Sequence, residues 1–485
     1  MEISLNQRSN MVSPVRKILR WALTFIGGVT ALAISIIVVG ILINLKDEPL
    51  DSKAKAMRDG TTNAVDPKTN GYFVLIAMDA DEGLDALKTG QEAAKKYAAL
   101  ANENPFRIDY IDKAEYKKAP PFTWLDGRCK NVNISCLEED ILNRTKLETL
   151  IAQNSLLLKR YEMIEQLSQF EEPPIISPAL SIAGYSSLLH ASDLTTLKAV
   201  FDIADGRTKA GIERLAKNDQ FIRRLMLQSS TLTSKMVITS MLQQQTRVIS
   251  ELVEAYPNFI ETVGDVKSTM LRPLSEAELS LVPALKKEAQ FVLTNLTTHY
   301  PAEEAKTTPD KFSSLFLKAF YQPNATVNMM ANYLEMVVES AHVTPAAFNH
   351  TQQQLSELSK ESGEHSFPPY VHNLYNPFGK ILYQMLLRYP ETYVNYMERV
   401  ADLDGYIRLV GLQAEIRRKG VTDDAIQNFV ATADSQFRSP YDATPMTWAA
   451  QKKQLQFVGR QNNSDYKSEY KSDLSGRNIY LAQLH

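Results

Sequence analysis

The side chains able to do chemistry are few. The 485 residues hold two cysteines and seven histidines. Cys129 and Cys136 sit in a loop-like stretch, DGRCKNVNISC. In an oxidising compartment this spacing fits a disulfide closing a short loop, worth about 2.5 kcal/mol by chain entropy. Two free structural thiols are the other reading. A redox pair normally has two intervening residues, and here there are six. A metal site would need more ligands, yet no histidine lies within 50 residues of the pair.

The histidines are His190, His299, His342, His350, His365, His372 and His485. None forms H-E-x-x-H or a pair one helical turn apart, the spacing that puts two imidazoles on one metal. No metal or cofactor is therefore expected. Nucleotide loops and the G-x-S-x-G elbow are also absent. Ser464-Asp-Tyr-Lys467, Ser468-Glu-Tyr-Lys471 and Lys88-Thr89-Gly90 match the motifs of acyl-serine transferases. That chemistry needs a serine opening a buried helix and K-T-G on an adjacent strand. Here the serines lie in a polar tail, K-T-G lies in a helical pattern, and the order is reversed. Asp79-Ala-Asp81-Glu82-Gly83 starts like a calcium loop but lacks the glycine at six and the glutamate at twelve. Acids at a helix N-terminus explain it better. The basic stretch from Arg207 to Arg224 reads as a solvated helix face rather than an anion or lipid-headgroup site. One loop, PPYVHNLYNPFGK at 368–380, mixes aromatics, histidine and asparagine. Its residues His372, Asn373, Tyr375 and Asn376 are candidates to line a groove.

The elements that must position these residues begin with a span. Residues 21–45 carry no charge. As a helix they measure roughly 37 Å, enough to cross a hydrocarbon core of roughly 30 Å. A soluble core helix rarely stays apolar on every face for this length. A cleaved signal peptide would have a shorter apolar region and a small-residue cleavage site, and this run exits through Asn44-Leu45-Lys46-Asp47-Glu48. Residues 21–45 are read as an uncleaved anchor in the lipid bilayer. Arg16, Lys17 and Arg20 crowd its N-terminal side, against Lys46, Lys53, Lys55 and Arg58 after it. The basic residues nearest the span set a cytoplasmic N-terminus by the positive-inside rule. Gly27, Ala31 and Ser35 fall on one face, a spacing that lets two such helices approach, as in a homodimer.

Beyond the span, 46–70 read as a polar tether, and 71–136 as a small α/β segment. In it, Tyr72–Ile76 is a buried-strand candidate and Phe106–Tyr110 a second. From 137 to 432 the pattern is helical. Thr145-Lys-Leu-Glu148 and Ser275-Glu-Ala-Glu278 are capping boxes. Thr308-Pro309, Thr344-Pro345 and Asn376-Pro377 each put a cap before a proline. Apolar residues at intervals of three or four, such as Met397, Val400, Leu403, Ile407 and Val410, give the buried faces. Gly420 after Arg417-Arg418-Lys419 reads as a helix stop. Roughly ten to twelve helices fit this region. Residues 433–460 read as a hairpin, with strands near 446–458 able to pair with 72–76. Residues 461–485 read as a polar tail. The whole is a mainly α chain: an N-terminal transmembrane helix, a large irregular helical domain and a small β patch.

Composition agrees. Glycine is scarce, 19 of 485, which disfavours turn-rich barrels and sandwiches. With 44% hydrophobic and 22% charged residues the chain can bury a core. A net charge of −3 gives no argument for nucleic-acid binding. NGYFVLIAMDA at 70–80, FYQPNATVNMMANY at 320–333, YNPFGKIL at 375–382 and SPYDATPMTW at 439–448, after one transmembrane helix, together resemble an uncharacterised group of bacterial envelope proteins. The resemblance implies a bacterial inner-membrane location and no activity; with the N-terminus inside and the cysteine pair in an oxidising compartment, the domain is expected in the periplasm of a Gram-negative bacterium. Read from the residues themselves, Asn324 and Asn376 are helix caps. The functional expectation is a non-enzymatic envelope protein whose helical domain binds a protein partner. The alternatives are an envelope hydrolase with dispersed carboxylates, or a carrier with an apolar cavity between helices.

Overall fold

The computed structural model describes residues 12–60, 66–103, 116–124, 135–172, 184–263, 270–298, 319–342, 344–364, 374–387, 391–462, 471–472 and 477–484. The helices are α1 (Val12–Ile43), α2 (Ser52–Asp59), α3 (Tyr72–Ile76), α4 (Ala86–Glu103), α5 (Cys136–Leu142), α6 (Arg144–Gln153), α7 (Ser155–Gln166), α8 (Tyr185–Ala204) and α9 (Thr208–Gln228). They continue as α10 (Leu232–Ala255), α11 (Pro257–Val263), α12 (Glu276–Leu279), α13 (Val282–Thr298), α14 (Pro323–Ser340), α15 (Phe348–Glu364), α16 (Pro377–Leu387), α17 (Glu391–Arg418) and α18 (Ile426–Ala431). The chain is mainly α, as its periodicity dictates.

α1 starts ahead of the apolar run and is 32 residues long, or about 48 Å. Its stretch Lys17–Ile43 is long and apolar enough to cross a membrane. Nearly all of its large apolar side chains, from Ile18 to Leu42, are exposed. A soluble core helix would bury them.

Two hydrophobic cores follow. The larger one is organised by α8, α9 and α10, which pack on one another, and by α17, which packs on α10. α17 buries apolar residues around most of its circumference, including Val400, Leu403, Ile407, Leu409 and Val410, which suits a helix at the centre. The smaller core joins Ala54 of α2, Leu293 of α13 and Val327, Met330 and Leu334 of α14. Leu50, Met57 and, from α16, Leu382 and Tyr383 pack against it.

The sheet lies on α17. Its strands are β1 (Thr447–Ala449), β2 (Gln454–Asn462), β3 (Lys471–Ser472) and β4 (Arg477–Gln483), in the antiparallel order β1-β2-β4-β3. Leu455 pairs with Ala482 and Phe457 with Tyr480, and all four side chains are buried. Gly405 lets the sheet approach: a Cβ there would sit 2.2 Å from the Phe457 ring.

Several expectations are corrected. Tyr72–Ile76 is a short helix, not a strand. A short apolar run has the same pattern in a buried helix as in a buried strand. The hairpin therefore does not pair with 72–76; it pairs with β4, drawn from the region read as a polar tail. The tether reading fails at α2, which belongs to the smaller core. The Thr145 capping box is not formed, because α6 already begins at Arg144 after Asn143. The Ser275 box is formed as expected. Thr344 precedes a proline-led turn but makes no side-chain cap. Phe106–Tyr110 and Thr308-Pro309 lie outside the described residues.

Candidate functional site

The most elaborate polar arrangement near α1 is where that helix meets the domain. Asn44 follows the last turn of α1 and is buried. Its amide nitrogen donates to the carbonyls of Gly40 and Leu374. Its side-chain oxygen accepts the backbone N–H of Asn376 at 2.8 Å, and its carbonyl accepts the Gln322 amide at 2.6 Å. Asn376 continues the chain of bonds. Its Oδ1 accepts the N–H of Gln322 at 2.9 Å and of Gly379 at 3.2 Å. The second bond is the expected cap of α16, and the first reaches the start of α14. Asn376 adopts a left-handed φ of 51°, a conformation asparagine tolerates better than most residues. One turn before Asn44, the Phe320 ring lies against Gly40, 2.7 Å from where a Cβ would stand.

Asp47 supplies a second clamp. The residue before α14, Gln322, makes no side-chain cap. Instead the Asp47 carboxylate accepts the N–H groups of Asn324 (2.8 Å) and Ala325 (3.1 Å). This satisfies orphan donors of the helix N-terminus and sets a negative charge against its dipole. Asn324 itself is not the cap; its side chain donates to the carbonyl of Glu48. Asn328 then bonds the backbone at Pro49 and Asp51, and Lys53 pairs with Glu335. On the α13 side, Gln290 donates to the carbonyl of Asp59 at 3.1 Å. The chain from 44 to 59 is thus fastened to α13, α14 and α16.

Buried ionisable groups elsewhere are occupied by structural bonds. Glu172 accepts from the hydroxyls of Tyr185, Thr231 and Ser234 and from the N–H of Ser230. Asp402 accepts from the Tyr441 hydroxyl and the N–H groups of Arg460 and Gln461, fixing β2 to α17. Burial raises its carboxyl to about 6 despite those bonds. Arg223 donates to Asp219 and to the carbonyls of Met270 and Arg272, with Glu278 at 3.5 Å. Burial alone would raise Glu278, but the Arg272 hydrogen bond and its neighbours bring it down to about 2. Lys235 donates to the Met226 carbonyl near the end of α9, and burial lowers its amine to about 8. Among the described residues no three His, Cys, Asp or Glu side chains are grouped to hold a metal ion.

The other sequence candidates fall in several places. Tyr375 and Asn376 lie at the junction. Burial beside Glu48 pushes the Tyr375 phenol upward. His372 and Asn373 lie outside the described residues, as does Cys129. Cys136 is the buried first residue of α5. Gly27, Ala31 and Ser35 lie on the exposed surface of α1, where the Ser35 hydroxyl donates to the Ala31 carbonyl. Asp79 and Asp81 do not head a helix: they pair with Lys118 and Lys117. The basic stretch of α9 is largely paired, Arg207 and Arg214 with Asp202 and Lys217 with Glu165, and Arg223 is buried.

Asn44, Asp47, Gln322 and Phe320 had no place among the sequence candidates. A signal existed: a polar Asn directly after an apolar run, followed by an acid, and a helix start at Pro323 with no good cap before it.

No protein-family model matches the chain. Compared with curated proteins and with solved structures, it likewise matches none.

Proposed function

We propose that this chain is a single-pass envelope protein whose helical domain is held in one pose at the bilayer surface and there binds a protein partner, without chemistry of its own. The observation that carries this reading is the junction. The Asn44–Gln322–Asn376 bonds and the Asp47 cap join α1 to α14 and α16 without a free linker. A domain that searched space on a tether would not build residues 46–59 into a hydrophobic core. A fixed pose reduces the orientational cost of docking a partner at a set height above the membrane.

The expected address is a bacterial inner membrane, N-terminus in the cytoplasm and domain in the periplasm. Arg16, Lys17 and Arg20 before the span support it. So does the spacing of Cys129 and Cys136, which suits a disulfide in an oxidising compartment. A reporter fused to the C-terminus and active only outside the cytoplasm tests the orientation.

The functional test is cross-linking at native expression. The wild type should capture a defined partner from intact membranes. A variant with a ten-residue Gly/Ser insert between Lys46 and Asp47 should fold and stay anchored but capture much less of it. Recovery of the protein alone from the wild type, or equal capture by both, would overturn the proposal.

A further inference from the structure

We infer that α16 lies in the headgroup–acyl boundary of the bilayer that α1 crosses, and buries Ile381 and Met385 in it. The inference rests on reading α1 as a membrane anchor.

Three observations carry it. The first is place. The cap of α16, Asn376, is hydrogen-bonded to Asn44 at the end of α1, so α16 starts where α1 leaves the membrane. Phe320 touches Gly40, so the underside of the domain reaches one turn below Asn44. With the boundary at Gly40, residues 21–39 still measure roughly 28 Å as a helix, against a hydrocarbon core of roughly 30 Å.

The second is the pattern of α16, PFGKILYQMLL. Its inner face is already committed. Gly379 and Leu387 are buried, and Leu382, Tyr383 and Leu386 pack on the smaller core. Yet the opposite face is also apolar: Ile381 is 55% exposed and Met385 57%, one turn apart. A helix apolar on both faces fits two apolar surroundings, and the described residues of the fold supply only one. Among the described residues, the other large apolar side chains exposed beyond α1 and Leu45, which are Leu84, Trp124, Leu142, Leu227 and Val458, stand singly in separate parts of the chain.

The third is charge. α16 carries one lysine, Lys380, and no acid. Eleven residues measure roughly 16 Å, which suits a short helix lying in the interface plane rather than crossing it. Because α16 begins beside the residue that ends α1 and its exposed pair is apolar, we assign the bilayer, and not a separate ligand, as the occupant.

The test uses the full chain in nanodiscs of phosphatidylethanolamine and phosphatidylglycerol, one copy per disc, with acyl chains brominated close to the headgroup. Two proteins are compared, each with one tryptophan. One keeps Trp21 alone; the other carries Ile381→Trp with the native tryptophans replaced by phenylalanine. A third, with Met385→Trp, guards against a local effect of one substitution, and circular dichroism checks folding. Tryptophan at 381 or 385 should lose at least half its emission to the brominated lipid and resist aqueous iodide. Quenching of Trp21 with no lipid quenching at 381 and 385 overturns the inference and leaves the anchor standing. No lipid quenching of Trp21 overturns the anchor reading itself. Protection from iodide without lipid quenching, found only in discs loaded with two copies, would assign the face to a second copy and overturn the lipid assignment.

Discussion

Asp47 accepts the backbone N–H of Asn324 at 2.8 Å, 277 positions further along the chain. The cap of α14 is thus supplied by the segment that leaves α1. Removing such a cap typically costs about 0.5–2 kcal/mol. Asp47→Ala should lower the unfolding free energy of the full chain in detergent micelles by about that amount, while Asp47→Asn keeps most of it. The loss should be local as well. Trypsin should cut faster after Lys46, Lys53 and Lys55 in the alanine variant, because the clamp holding that segment is gone. Unchanged cleavage would mean that Asp47 does not fasten it.

Gly90 answers a different constraint. It lies in α4, where glycine disfavours a helix by roughly 1 kcal/mol relative to alanine. Propensity alone therefore predicts that Gly90→Ala stabilises. In the fold a Cβ at Gly90 would stand 1.7 Å from the Phe73 carbonyl oxygen. Backbone cannot yield as a flexible side chain can, so α3 and α4 must separate. We expect Gly90→Ala to destabilise by about 1–3 kcal/mol, the usual range for overpacking. A rise in the midpoint of urea denaturation would contradict the close approach of these two helices.

How legible this was depended on whether a signal was local. The Ser275 box and the Gly420 stop were readable because residues a few positions apart carry them; Gly420 does adopt φ 60°. The docked segment at 46–60 was not. Its apolar residues Leu50, Ala54 and Met57 do follow a helical spacing, but charges surround them and only α13 and α14 reveal their purpose. β4 was missed for a related reason. Tyr480 and Ala482 are buried because pairing with Phe457 and Leu455 lays them on α17, where the Tyr406 ring meets Tyr480. The junction was half visible. Asn376-Pro377 announced a helix start, but no local pattern ties Asn376 to Asn44, 332 positions away.

Arg223 is the main cation of a buried charge cluster. It faces Asp219 at 2.9 Å and two carbonyls at 3.0 Å. Breaking a buried pair from one side is typically worth about 3–5 kcal/mol, because the other charge stays behind. Arg223→Met should cost about that much. Adding Asp219→Asn should recover part of the loss, since it removes the stranded carboxylate. An additive double variant, with no recovery, would show that the two residues do not act together.

Asp402 makes a prediction with a definite sign. It is buried on α17, and burial raises its carboxyl from an ordinary 3.8 to about 6 in the fold. Between these values the folded state holds the proton more tightly than the unfolded chain. Stability from this group is therefore fully present below about pH 4 and is lost as the pH rises through about 6. The full difference is about 3 kcal/mol at 1.36 kcal/mol per pH unit. Glu278, held down to about 2, works in the opposite direction, but below its ordinary 4.5. Burial raises Asp219 to about 6 as well, so the wild-type curve alone does not isolate Asp402. The comparison with Asp402→Asn does. That variant cannot ionise, and it should be less stable than wild type near pH 4, where an amide nitrogen opposes the N–H donors of β2. Its deficit should shrink by up to about 3 kcal/mol by pH 7. Urea denaturation of both proteins at pH 4 to 7 measures the gap, and a deficit that stays constant or widens with pH would overturn the assignment.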